Sequence, residues 1–516
     1  MVSYMNNNSG FAQFQQMKNA ETASQKKGFP IWGWVALALC VYWLVAPSKK
    51  EAPVQETVEA APVDISKVPK VTVGGDKIEF LSQGLRISNI TLKGYKSGLK
   101  KNDGADIKLL AGDQEFAEIG FLANGTSVPT ANSIWKKDGT AMVWKSESGV
   151  EFRRTTNISD GYVITVSDEI RNKSKKPVSF SQYVRIARNG GEASKFAVHA
   201  GAVADIGGDI KTESWKDVAK DGEIWQAKDG FAGFTDQYWE VVAASRQPSD
   251  KTIKIKRRGD KMFQADMAPE YLTLDAGQAA SVSAEIFAGP KTQDALLAAS
   301  KKIANIDRTI DYGWFGFLSR PFLWTLNKLH DFVPNYGVAI ILLTLIIRGL
   351  MWPLAKKSIR AAGAMQKIQP ELARLQKLYS NDKIRMQQEV MRLYQTHKAN
   401  PFSSIGVMLL QIPIFFALYK ALLIAVPLRH AGFLWVSDLS VMDPYFVLPV
   451  LMAGVMWLQN KMGKNTADAP GAKIMKWMPL LFGVMFATMP AGLVLYWTIS
   501  SIAGIIQTRV IQKREK

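Results

Sequence analysis

From Pro334 to Trp352 the chain is almost wholly apolar, and its one charged residue is Arg348. A guanidinium held among lipid tails costs ~2.5–3.5 kcal/mol on insertion scales, so it turns to water, a partner or the membrane surface. A cation so held attracts carboxylates and keeps water in place. Thr344 precedes it by one helical turn on the same face, and two later apolar runs contribute Gln411, then Trp497, Ser500, Ser501 and Gln507. Facing a bundle interior, these groups would line a wet groove. Two plainer readings stay open. The hydroxyls serve helix–helix packing, or Arg348, about 6 Å along the axis from Trp352 at ~1.5 Å per residue, snorkels to the inner surface. A second cation, Lys420, lies eight residues before Leu428 and is expected to snorkel outward towards Arg429.

Other chemistries lack their residues. His199, His330, His397 and His430 are isolated and lie outside the apolar runs, which also hold no Asp or Glu. An intramembrane protease needs a Ser/His pair or two aspartates in the bilayer. No Gly-rich phosphate loop precedes a Lys-Ser/Thr pair, and no metal-ligand cluster occurs, so neither an enzyme nor a cofactor is expected. Cys40 is the single cysteine, which rules out an intrachain disulfide. Leu39 before it is too large for a lipoprotein-type site.

The elements that carry these residues follow from charge and hydropathy. Of the net +19, residues 47–332 supply only +3, from 40 Lys/Arg against 37 Asp/Glu. The rest sits on short segments beside apolar runs, the positive-inside pattern. DNA is therefore not an expected partner, although a ribosome can meet the same segments. Residues 1–28 read as a cytoplasmic tail and Phe29–Ala46 as a first membrane anchor, with a cleaved signal peptide as the rival. Residues 47–70 read as a linker. Residues 71–310 alternate with period two, as in Tyr162, Ile164 and Val166 against Val163, Thr165 and Ser167, and predict a large β-sandwich ending in a helix. A turn is expected at Asn157-Ile158-Ser159-Asp160. Residues 311–332 mix aromatic residues with Arg320, Lys328 and His330, as in a helix lying in the membrane interface, or one packed on the domain.

Further spans are expected at Pro334–Pro353 (333–354 as a segment), Phe402–Leu428 and Tyr445–Leu458. The uncharged run 477–506 should fold back at Pro490 as two spans of about fifteen residues, because both its flanks are basic. Six spans then leave both termini in the cytoplasm and the β domain outside, with the short last pair thinning the bilayer. Between the second and third spans, residues 355–400 predict a basic helical hairpin. Met365, Ile368, Leu372, Leu375 and Tyr379 face Met386, Val390, Leu393 and Tyr394, and Ser380-Asn381-Asp382 forms the turn. Lys356, Lys357, Arg360, Lys367 and Arg374 lie on its outside.

The segments Asp311-Tyr312-Gly313-Trp314, Ile347-Arg348-Gly349-Leu350-Met351-Trp352-Pro353-Leu354, Gln411-Ile412-Pro413-Ile414-Phe415, Leu418-Tyr419, Asp443-Pro444-Tyr445 and Gly492-Leu493-Val494-Leu495-Tyr496-Trp497 closely resemble the YidC/Oxa/Alb insertases, in their Gram-negative form. The likeness runs from residue 311 to the C-terminus, and more loosely over the β domain. It implies an α-helical polytopic inner-membrane protein with a conserved five-helix core and a periplasmic all-β supersandwich similar to sugar mutarotases. It further implies insertion and folding of nascent membrane proteins, alone or beside the Sec translocon. Arg348 then matches the family's groove arginine, open to cytoplasm and membrane lipids. Ile412, Pro413 and Trp497 fall where family members meet the incoming segment. The family often has Tyr where this chain has Trp497, so a tyrosine hydroxyl is not expected there. The rival functions are a transporter or channel with Arg348 as an anion site, and a membrane-anchored carbohydrate-binding protein.

Overall fold

The computed structural model describes residues 64–98, 104–112, 114–159, 161–191, 198–397, 403–462 and 472–513. The N-terminal tail, the Phe29–Ala46 anchor with Cys40, residues 47–63 of the linker and most of the Lys461–Lys476 loop lie outside them. From Lys70 onward the β domain forms a ten-stranded and a nine-stranded sheet, antiparallel throughout the described pairs. Strand Val163–Asn172 shows the expected alternation, with Ile164, Val166 and Ile170 inward. The expected turn at Asn157 is displaced. Strand Val150–Ser159 runs through it, Ser159 pairing with Val163, because Ile158 also pairs with Ile164.

Strand Ala279–Pro290 departs from alternation too, being buried on both faces from Ala284 onward. The two inner faces share one apolar cluster. At its edge Arg154 donates twice to Asp168 at 2.8 Å and once to the Ile119 carbonyl at 2.9 Å, while Gln182 donates to the same Asp168 at 2.8 Å. This buried, hydrogen-bonded ion pair ties one sheet to the other; removing one partner of such a pair costs ~3–5 kcal/mol.

Helix α1 (Trp215–Lys220) and helix α2 (Gln293–Ser300) belong to the β domain, the latter capped by the Thr292 hydroxyl. Helix α3 (Gly316–Phe332) buries Ser319, Leu323 and Leu326 and exposes Phe317, Trp324 and Phe332, so it packs on one side and offers aromatic residues on the other. Helix α4 (Tyr336–Leu350) and helix α5 (Trp352–Leu378) meet at Met351, with a 61° bend between Tyr336–Leu350 and Trp352–Met365. The hairpin therefore starts inside the expected second span, Pro353 sitting in the first turn of α5 where its missing N–H does no harm.

Helix α6 (Lys383–Thr396) returns along α5, and the Asp382 carboxylate caps it by accepting from the Arg385 N–H at 3.0 Å. Helix α7 (Ser403–Ile424) and helix α8 (Val447–Met462) are followed by helix α9 (Ala472–Phe486) and helix α10 (Ala491–Lys513). The break before Pro490 is where the sequence predicts it. However, α10 has 23 residues rather than about fifteen. By length and composition, α10 is the one described helix that is long and apolar enough to cross a membrane by itself, and α4 with the start of α5 passes only as a bent pair.

The β domain sits on the helices through polar clasps. Gln237 Nε2 donates to the Leu423 carbonyl at 2.9 Å, and Arg429 Nη1 donates to the Lys96 carbonyl at 2.6 Å. Lys420, buried in the fold, donates to Asp311 at 2.5 Å. Snorkelling of Lys420 towards Arg429 is thus corrected: a carboxylate in the connector holds its ammonium.

Candidate functional site

In the last turn of α4, a cation is favoured by the helix macrodipole. Arg348 stands there half-buried, and its side chain leans towards α10 rather than along the hairpin. Its Nε and Nη2 donate to the Ser500 hydroxyl at 3.0 and 2.7 Å. Gly504 lies one turn further on beside the guanidinium; a Cβ there would meet both terminal nitrogens at an ordinary contact distance of 3.7 Å. Ser500 lies thirteen residues from the end of α10, roughly 20 Å at ~1.5 Å per residue. The head group is thereby directed into the bundle. Among the described residues no carboxylate reaches it. Two of a guanidinium's five N–H donors meet one neutral hydroxyl, and the others are left for water or an acidic visitor.

Around this pair the chain sets further polar groups. Gln507 Nε2 donates to the Arg348 backbone carbonyl at 3.0 Å, filling an acceptor near the helix end. Gln411 Nε2 on α7 donates to the Tyr496 hydroxyl at 3.2 Å. Arg348, Gln411, Ser500 and Gln507 are thus brought together, joined by Tyr496, which the sequence reading quoted in a motif but did not select. Its spacing carried the signal, since positions 496, 500, 504 and 507 recur on one helical face.

The other candidates are set apart. Thr344 is buried and donates to its own helix at the Ile340 carbonyl, 2.6 Å away, the packing role rather than a groove role. Ser501 is buried one step round α10 and, among the described residues, does not bond the arginine. Trp497 faces a different cluster. Its ring lies 4.9 Å from Phe415, 5.3 Å from Phe486 and 6.0 Å from Phe482, so it wedges α9 and α10 against α7. Ile412 and Pro413 are half-buried on α7, next to Gln411 in sequence. On the hairpin Lys356, Lys357, Arg360, Lys367 and Arg374 are all exposed, while the two apolar stripes are buried or half-buried.

Two family models divide the chain between them: the YidC periplasmic domain over residues 70–325 and the 60Kd inner membrane protein over residues 328–516. A membrane protein insertase YidC of Mesorhizobium japonicum is 34% identical over 476 residues, covering 84% of this chain and 79% of its own. The chain belongs to the YidC membrane protein insertase family. A YidC of Magnetococcus marinus is 37% identical over 420 residues, covering 77% and 75%, and one of Rickettsia bellii is 32% identical over 513 residues, covering 91% and 92%. An active YidC insertase crystal structure with its first transmembrane domain resolved aligns over 86% of this chain at 17% identity and a TM-score of 0.37; the assignment stands on the sequence relatives. The chain is accordingly an inner-membrane insertase with a periplasmic β domain, acting on nascent membrane proteins rather than catalysing a reaction.

Proposed function

We propose that insertion proceeds through a polar notch between α4, α7 and α10, with Arg348 as its working charge. The single observation that carries this reading is the half-buried guanidinium on Ser500 with no carboxylate partner among the described residues. A buried polar group without a hydrogen bond costs ~2–7 kcal/mol, depending on the reference state. A translocated tail crossing bare hydrocarbon bears that cost at every backbone amide. Arg348, Ser500, Gln411 and Tyr496 would offer partners part-way, and the arginine would attract acidic residues of the tail. The substrate's apolar segment then leaves for lipid, which supplies the driving force. Ile412, Pro413 and Trp497 would meet that segment at the edge of the notch.

The topology that goes with this reading has six spans, five of them forming the core, and both termini in the cytoplasm. The basic hairpin of α5 and α6 would receive substrates or the ribosome there, and the Sec translocon would be a lateral partner for longer proteins. The short α4 and α9, of 15 residues each, span only ~22 Å at 1.5 Å per residue, which favours a locally thin bilayer.

The test is insertion of a substrate with a short acidic translocated tail into vesicles reconstituted with the full chain. Arg348→Ala is expected to lower insertion about tenfold, the size of losing one charge-assisted contact, and Arg348→Lys to retain most of it. Normal insertion by both variants would reduce the arginine to a membrane anchor.

A further inference from the structure

A cavity of about 640 Å³ opens between the edge of the β domain, the connector 306–313 and the start of α3. Its walls carry two guanidiniums. Arg308 is steadied by donating Nη1 to the Gly208 carbonyl at 2.6 Å, and Arg320 lies 4.7 Å over the Tyr312 ring. Among the described residues neither forms an ion pair. Asp311 also lines the cavity, but its carboxylate already accepts from Lys420, so the lining keeps a positive balance. Ile210, Ile310 and Phe317 form an apolar side. Phe317 is 73% exposed, and just outside the cavity Trp314 is 90% and Trp324 57% exposed, on a chain that lives in a membrane. Exposed aromatic side chains of this kind settle at headgroup depth.

We propose that this cavity seats the phosphate headgroup of an anionic phospholipid from the periplasmic leaflet. Guanidiniums bind phosphate oxygens through charge-assisted, often bidentate hydrogen bonds. The start of α3, whose Gly316 lines the cavity, adds the positive end of a helix dipole, although the Gly316, Leu318 and Ser319 N–H groups already donate to backbone carbonyls. The apolar side and the neighbouring aromatic residues take the glycerol and upper acyl chains. That feature separates a lipid from free phosphate, which would engage the arginines alone. Seated there, the lipid ties connector, α3 and β-domain edge to one level of the bilayer.

The experiment is native mass spectrometry of the purified full chain titrated with phosphatidylglycerol, phosphatidylethanolamine or inorganic phosphate. One phosphatidylglycerol should be retained about tenfold better than phosphatidylethanolamine. The double variant Arg308→Gln/Arg320→Gln should abolish that preference, and Arg308→Lys/Arg320→Lys should keep most of it. Ile210→Trp, which fills the cavity from the β-domain edge with both charges intact, should also lose the lipid. Retention of phosphatidylglycerol by the double Gln variant and by Ile210→Trp would overturn the site. Competition by inorganic phosphate at equal concentration would show a free-anion site instead, and overturn the lipid assignment.

Discussion

At the scale of single residues, the site turns on which donors have acceptors. Arg348 reaches one hydroxyl, and that hydroxyl serves two of its nitrogens. Ser500→Ala removes the neutral acceptor without touching the charge. In the same vesicle assay it should reduce insertion only about threefold, well short of Arg348→Ala, because water replaces the lost hydroxyl in a wet notch. A loss equal to that of Arg348→Ala would mean that the serine, not the charge, sets the site. Tyr496 is almost fully buried and its hydroxyl accepts from Gln411. Tyr496→Phe leaves the Gln411 amide short of a partner and should cost about 1 kcal/mol of stability, the usual net worth of such a bond, read as a lowered thermal midpoint in detergent. No change would mean Gln411 has water to turn to.

Between elements, the last two helices each pack along α8, and an aromatic wedge joins them to α7. Phe482 and Phe486 on α9 and Phe415 on α7 close around Trp497. Nothing in lipid squeezes helices together hydrophobically, so close packing, of these rings and along α8, holds this hairpin. Trp497→Ala should cost about 1–3 kcal/mol, from ring pairs worth about 0.5–1.5 kcal/mol each, and Trp497→Phe much less. Thermal unfolding of the two variants measures this. Equal midpoints for Trp497→Ala and the parent would assign the ring to substrate contact alone. The fold-back of 477–506 brings rings fifteen positions apart, Phe482 and Trp497, to 6.0 Å from each other.

For the whole molecule, the junction between β domain and helices holds titratable groups that respond oppositely to acid. Burial pushes the Glu240 carboxyl up to about 7, against the pull of Lys291 and the hydroxyls of Thr309 and Thr235. The native state therefore binds this proton more tightly than the unfolded chain. Between the ordinary 4.5 and about 7, stability falls as pH rises, and above that window the penalty is constant. The thermal midpoint of the parent should drop across that window more steeply than that of Glu240→Gln; parallel slopes would exonerate the glutamate. At Asp311, burial pushes the carboxyl up, but the hydrogen bond and charge of Lys420 outweigh it and hold the carboxyl below its ordinary 3.8. Its stabilisation is present above that value and fades only as pH falls below it.

Much of this was legible before any fold was known. Period-two runs pointed to the sandwich and the apolar stripes to the hairpin, because hydropathy and periodicity are local properties of the chain, and the lone arginine marked a candidate site. The motifs Ile347 to Leu354 and Gly492 to Trp497 pointed to the family that the relatives then established. What the sequence could not say was which groups share a face across elements. The Arg348–Ser500 pair spans 152 positions and the Asp311–Lys420 pair 109. Thr344 looked equivalent to Ser500 until helix packing turned one hydroxyl onto its own backbone and the other towards the guanidinium. Such choices depend on crossing angles and on how closely α10 approaches α4, and only the assembled tertiary structure fixes those.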